Sequence, residues 1–220
     1  MALECIELQT TDTPGASLIV LHGLGADGHD FVPIAQELEL SGVGGARFVF
    51  PHAPQRPVTM NGGYVMRAWF DIAGTPQLRG EDETGLRQSQ AEIEALIARE
   101  VVRGMPASRI VLMGFSQGCA MTLMTGLRHA ERLAGLVGLS GYLPLAAQTA
   151  AERTPANAEV PIFLAHGSDD PMIGIDRALA SRDALRALGY AVDWHEYPMP
   201  HSVCAEEIVE LNRWLLRVLA

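Results

Sequence analysis

The sequence predicts an α/β fold, with a mostly parallel twisted sheet and helices on both faces, and three observations lead there. Short apolar runs alternate with longer segments of helical period. Several of the runs are continuously apolar, as strands become when helices cover both faces of a sheet. No repeat, low-complexity tract or linker divides the 220 residues, so one domain over 1–220 is expected.

Taken in order, strands are expected near 3–9, 17–22, 46–50, 109–113, 133–139, 160–166 and 190–197. Helices are expected near 31–39, 84–104, 117–130, 175–188 and 204–219. The last places Ile208, Leu211, Leu215 and Val218 at steps of three and four, a stripe to lay on a sheet. Asp12-Thr13-Pro14-Gly15 reads as a hairpin turn joining the first two strands into an antiparallel edge. Segments 51–83 and 141–159 carry no clear period. Connections that long inside a compact domain are usually functional, and both follow strands, whose carboxyl ends hold the ligands in such sheets.

Composition removes whole classes of function. Hydrophobic residues make up 48% of the chain and charged residues 19%, enough for a core and unlike a disordered chain. The net charge is −10 and the chain has no lysine, which argues against nucleic acid as a partner. The longest apolar stretch, 133–147, is broken by Gly135, Gly138, Gly141 and Pro144, so no stable membrane insertion is expected. The first twelve residues lack the pattern of a secretory signal, and Cys5, Cys119 and Cys204 form no CxxC pair. A cytoplasmic location is the expectation.

The chemistry starts at Gly114-Phe115-Ser116-Gln117-Gly118, set between the apolar run RIVLM and a helical segment. A serine with glycines at −2 and +2 on a strand-to-helix turn is the pattern of a nucleophile elbow, in which the backbones cross too closely for a Cβ. The plainer reading, a serine capping a buried helix, does not require both glycines. Ser140 has Gly138 before it but lacks the second glycine, and it opens no helix.

A serine hydroxyl needs a base, and the base needs an orienting acid. On this architecture they follow in the order serine, acid, histidine. His201, in YPMPHSV between the last strand and last helix, falls at the carboxyl edge beside the elbow. His129 lies late in the elbow helix, His166 ends a strand too early for that order, and His195 sits within a strand. The acid belongs in LAHGSDDP, where spacing leaves Asp169 and Asp170 both open. LHGLGADG supplies a flexible turn after the second strand. The backbone N–H groups of Leu24 and of Gln117, the residue after the serine, are the expected oxyanion donors. The same turn spells G-x-G-x-x-G, but no acidic residue closes a later strand about twenty positions on, which disfavours a dinucleotide site.

These motifs, together with PHAPQRPVTMNGGYVMRAWFDI and LSGYLP, resemble the acyl-protein thioesterase and bacterial carboxylesterase branch of the α/β-hydrolases, the phospholipase/carboxylesterase family, over almost the whole chain. The resemblance implies an α/β-hydrolase fold without a cap domain, Ser116 as nucleophile, His201 as base and Asp170 as the acid. Pro200 before the base and Met172-Ile173 after the acid loop depart from the family's commoner residues without touching the triad.

The expected reaction is hydrolysis of carboxylic esters of short-to-medium acyl chains through an acyl-enzyme, with no metal or cofactor. Thioesters of acylated proteins and lysophospholipids are alternatives for the same site. A non-catalytic ligand-binding relative is the alternative from another class. Met60, Met66, Trp69 and Phe70 are the expected substrate wall, the partner is a small ester or acylated substrate, and a homodimer stays open. Because imidazole acts as a base only when neutral, activity should fall as pH drops through about 6–7.

Overall fold

The computed structural model of the chain describes residues 3–73 and 80–220. Eleven strands are seen among them: β1 (Cys5–Gln9), β2 (Ala16–Leu21), β3 (Ala46–Pro51), β4 (Gln55–Val58), β5 (Tyr64–Arg67), β6 (Ile72–Ala73), β7 (Gly80–Glu81), β8 (Ile110–Phe115), β9 (Gly135–Leu139), β10 (Ile162–Gly167) and β11 (Val192–Tyr197). The α-helices are α1 (Val32–Glu37), α2 (Glu83–Val102), α3 (Gln117–Gly126), α4 (Ala146–Glu152), α5 (Ile175–Ala187) and α6 (Ala205–Val218).

Seven strands form one sheet in the order β1-β3-β2-β8-β9-β10-β11, parallel except for β1. β2, β9 and β10 are buried along their whole length, as their continuous apolar runs require. Two apolar clusters flank the sheet. One gathers α2 and α3 residues such as Ile93, Ile97 and Leu123, and the other gathers Phe31, Ala35, Leu211 and Trp214 from the α1 region and α6. The stripe read on α6 divides, with Leu211 and Leu215 fully buried and Ile208 and Val218 packed beside them.

The expected first hairpin is not formed. β1 is the antiparallel edge, but it pairs with β3, from Cys5 opposite Pro51 to Gln9 opposite Arg47, while β2 lies on the far side of β3. β2 has to pair in parallel with both β3 and β8 because its six residues are fully buried, and a hairpin with β1 would occupy one of those edges.

Segment 141–159 is not a bare loop either. It holds α4 and a short 3₁₀ turn over Pro155–Asn157. The helix sequence AAQTAAE has high helix propensity but almost no apolar alternation, so it carries no period to read. Segment 51–83 contains the two-stranded ladders β4–β5 and β6–β7, and its residues 74–79 lie outside the described residues. No helix among the described residues is long and apolar enough to cross a membrane.

Candidate active site

β8 runs Gly114 and Phe115 to the sheet's carboxyl edge, and the chain reverses at Ser116 into α3. Ser116 adopts φ 56° and ψ −116°, a conformation L-residues rarely take, and its N–H donates to Leu139 O at 2.8 Å. The flanking glycines have a steric reason. A Cβ on Gly114 would lie 2.2 Å from Gly118 O, and one on Gly118 would lie 2.1 Å from Leu21 O. The turn closes only with hydrogen at both places.

Three side chains meet there. His201 Nε2 is 2.9 Å from Ser116 Oγ, and His201 Nδ1 is 2.6 Å from Asp170 Oδ2. The carboxylate can only accept from Nδ1, so Nδ1 carries the proton and Nε2 is left to accept from the serine hydroxyl. The imidazole also packs at 4.7 Å, centroid to centroid, against Phe115. Asp170 is pinned from its other oxygen, Oδ1 accepting the N–H of Met172 at 2.8 Å and of Ile173 at 2.9 Å. Burial opposes its ionisation, but the Ile173 N–H, His201 and the Met172 N–H outweigh it and hold the carboxyl below the usual range. A depressed carboxyl stabilises the fold above its unfolded pKa, and that stability is lost as pH falls through the folded value. Asp169 is exposed, and its backbone N–H donates to Met199 O.

Of the other histidines, His166 lies beside the acid, its Nε2 3.4 Å from Asp170 Oδ2, and His129 and His195 lie apart from the relay. His129 is buried against Glu94 of α2, its Nδ1 2.5 Å from the carboxylate. His166 donates from Nε2 to Ile173 O at 2.8 Å, bracing the acid's turn. His195 stacks on Phe163, 4.6 Å between centroids.

Leu24 and the N-terminus of α3 face the same hollow. Gln117 opens that helix, where the first N–H groups have no intrahelical acceptor. The Leu24 turn is clamped by bonds from Gly25 N–H to Arg67 O (2.9 Å), from Gly28 N–H to His52 Nδ1 (3.1 Å) and from Ala53 N–H to His22 Nε2 (3.0 Å). Burial lowers the His22 pKa, so the ring stays neutral and can accept that bond.

A pocket of about 200 Å³ opens on Ser116, Gln117 and His201. Met60 and Phe70 line it, with Leu24, Ile72, Phe115, Tyr142, Met172 and Ile173. Two of the expected wall residues do not. Trp69 is fully buried, its Nε1–H donating to His22 O at 2.9 Å, and Met66 stands beside Gly25, its sulfur accepting from Asn61. The two residues lie in a bend between β5 and β6, with Phe70 lining the pocket and Trp69 in the core. Sequence reasoning missed Ile72, Phe115, Tyr142 and Asp30 as lining.

The side chain of Gln117 was also missed. Its Oε1 accepts Trp69 N–H at 2.7 Å and its Nε2 donates to Phe70 O at 2.7 Å, so it fastens the pocket wall to the elbow. Gln117→Ala should leave both backbone groups buried and unpaired and shift the wall. An expected loss of about 10–100-fold in kcat/KM would be read by steady-state ester hydrolysis.

Behind the serine, Cys119 is buried and its thiol is pushed up to about 12 by burial, which makes it inert as a second nucleophile. Glu207, in the first turn of α6 just after the histidine loop, is buried as well. Burial drives its carboxyl up to about 8, the Cys204 N–H offsetting only part. The native state therefore holds a proton there that the unfolded chain releases, and stability falls as pH rises from about 4.5 to 8. Glu207→Gln should flatten that slope and exceed the parent by more than about 1 kcal/mol at the alkaline end of urea-unfolding curves taken across this window. Among the described residues, no group of three or more His, Cys, Asp or Glu side chains could hold a metal ion.

With this geometry, comparison with known proteins is decisive about kinship. The phospholipase/carboxylesterase family model matches residues 4–218. The chain belongs to that family. It is therefore a serine hydrolase of the α/β-hydrolase fold, and no cap domain is evident among the described residues. Acyl-protein thioesterase 1 of Yarrowia lipolytica is 40% identical over 205 residues, which cover 91% of this chain and 90% of that one. Acyl-protein thioesterase 1 of Mycosarcoma maydis is 41% identical over 221 residues, covering 94% and 92%. Among solved structures, Zea mays acyl-protein thioesterase 2 superposes with a TM-score of 0.86 at 29% identity, covering 99% of each chain.

Proposed function

We propose that this family member hydrolyses carboxylic esters of short-to-medium acyl chains through an acyl-enzyme on Ser116. The observation that carries the reading is the unbroken relay from Ser116 Oγ to His201 to Asp170, at 2.9 and 2.6 Å, opening on an apolar pocket. Ser116 attacks the carbonyl while His201 Nε2 takes its proton. Asp170 holds the tautomer and stabilises the imidazolium, and His201 then gives the proton to the leaving group. The N–H groups of Leu24 and Gln117 receive the oxyanion, and water, activated by the same histidine, frees the acyl group.

The space directly on Ser116 is roughly 200 Å³, below the volume range usual for ligand sites, and a short-to-medium acyl chain fills it. A second reading, cleavage of thioesters on acylated proteins, is favoured by the relatives named above, each an acyl-protein thioesterase. One panel separates them. 4-Nitrophenyl esters from acetate to palmitate would be run beside S-acylated peptides carrying the same chains. The ester reading expects a maximum below decanoate and thioester rates no higher than those of matched esters. A strong preference for long-chain thioesters would replace it with the second reading. Mass analysis after a phosphonate inhibitor should find the adduct on Ser116; an adduct elsewhere would overturn both.

A further inference from the structure

The catalytic pocket does not end at its own rim. Met60, Met172 and Ile173 also line a second hollow of about 530 Å³, bounded beyond them by the first turn of α5, where Asp176 and Arg177 stand. Arg177 is half-buried, and its guanidinium carbon lies 3.3 Å from the centroid of the Tyr142 ring, whose residue lines the catalytic pocket. No salt bridge or side-chain hydrogen bond joins Arg177 to another described residue, Asp176 included. A guanidinium lying on an aromatic face is held by that face and keeps its in-plane N–H fork free. Such a fork fits a carboxylate or a phosphate with two parallel hydrogen bonds. On a chain of net charge −10 this cation stands against the general field, so its attraction for an anion is local.

We propose that the second hollow receives an anionic group, a carboxylate or phosphate, carried by the substrate at a distance from the scissile carbonyl, and that Arg177 is the residue that selects it. The proposal rests on Ser116 being the nucleophile. It adds that the preferred substrates bear a negative charge on one arm. Asp176, exposed beside Arg177, opposes such a group and sets how strong the preference becomes.

The test compares charged and neutral substrates within each protein, so that a change in overall activity cancels. For the acyl arm, 4-nitrophenyl half-esters of linear dicarboxylic acids from adipate to sebacate are measured against esters of the matched monocarboxylic acids. For the alcohol arm, butyrate esters of ω-hydroxyalkyl phosphates are measured against those of the plain alkanols. On one arm the anionic-to-neutral ratio of kcat/KM should fall about ten-fold in Arg177→Gln. Arg177→Lys should restore part of it, Asp176→Asn should raise it, and added salt should lower it. The arm that responds identifies the source of the anion. A ratio equal in Arg177→Gln and the parent on both arms, at every length, overturns the proposal. Hydrolysis of the neutral esters that survives Ser116→Ala would instead overturn the underlying reading of the nucleophile.

Discussion

Ser116→Ala should lower kcat for ester hydrolysis by about 10⁴–10⁶, with little change in KM and none in the cooperativity of unfolding. The size follows from what the hydroxyl does. On the proposed mechanism it is the atom that bonds to the acyl carbon, and Cys119 behind it is buried with its thiol pushed up to about 12. The fold should not suffer. Removing Oγ takes away one hydrogen bond to His201 from a half-buried position, and a small side chain at φ 56° remains as strained as before. Residual activity should come from the two backbone donors and from binding, which the substitution leaves in place. Stopped-flow hydrolysis of 4-nitrophenyl butyrate, beside urea unfolding of both proteins, would measure this. A loss smaller than about ten-fold would remove Ser116 from the mechanism.

Asp170→Asn should cost about 10⁴-fold in kcat, although the side chain keeps its shape. An amide could in principle present oxygen or nitrogen to the histidine. Here it has no choice, because Oδ1 is fixed by the N–H groups of Met172 and Ile173, so the amide nitrogen must face His201. Nδ1 then has to accept, the ring proton moves to Nε2, and Nε2 no longer takes the serine proton. Rates in the variant should climb steeply towards alkaline pH as hydroxide replaces the histidine base. A parent-like pH profile with a loss of a few-fold only would mean that Asp170 merely props the loop.

How much of this could be read from the chain depends on how local each signal is. The elbow was legible because its requirement is local, two residues without Cβ around one serine, and the structure gives each glycine a backbone oxygen within 2.2 Å of the missing atom. The parallel strands were legible for a similar reason, since burial on both faces leaves a continuous apolar run. The chain does change direction between β1 and β2, but turn residues do not say which strand their neighbours will pair with. The partner of β1 was decided by the burial of β2 between β3 and β8. In the irregular stretch after Pro51 the limit was direction. Met60 and Phe70 face the pocket while Met66 and Trp69 do not, and composition cannot separate them. The two candidate acids, adjacent in sequence, differ in burial and partners, and spacing holds neither.

The relay has a consequence for the life of the chain before it is finished. Its serine and histidine lie 85 residues apart, and the acid that holds the histidine comes from the connection between them. On a ribosome adding about 5–20 residues per second, the elbow exists for on the order of ten seconds before its base has even been made. Throughout that interval the nascent protein carries a hydroxyl no more reactive than any other serine. On the proposed mechanism, activity requires the loop after β11, which reaches the serine only once β11 is paired with β10.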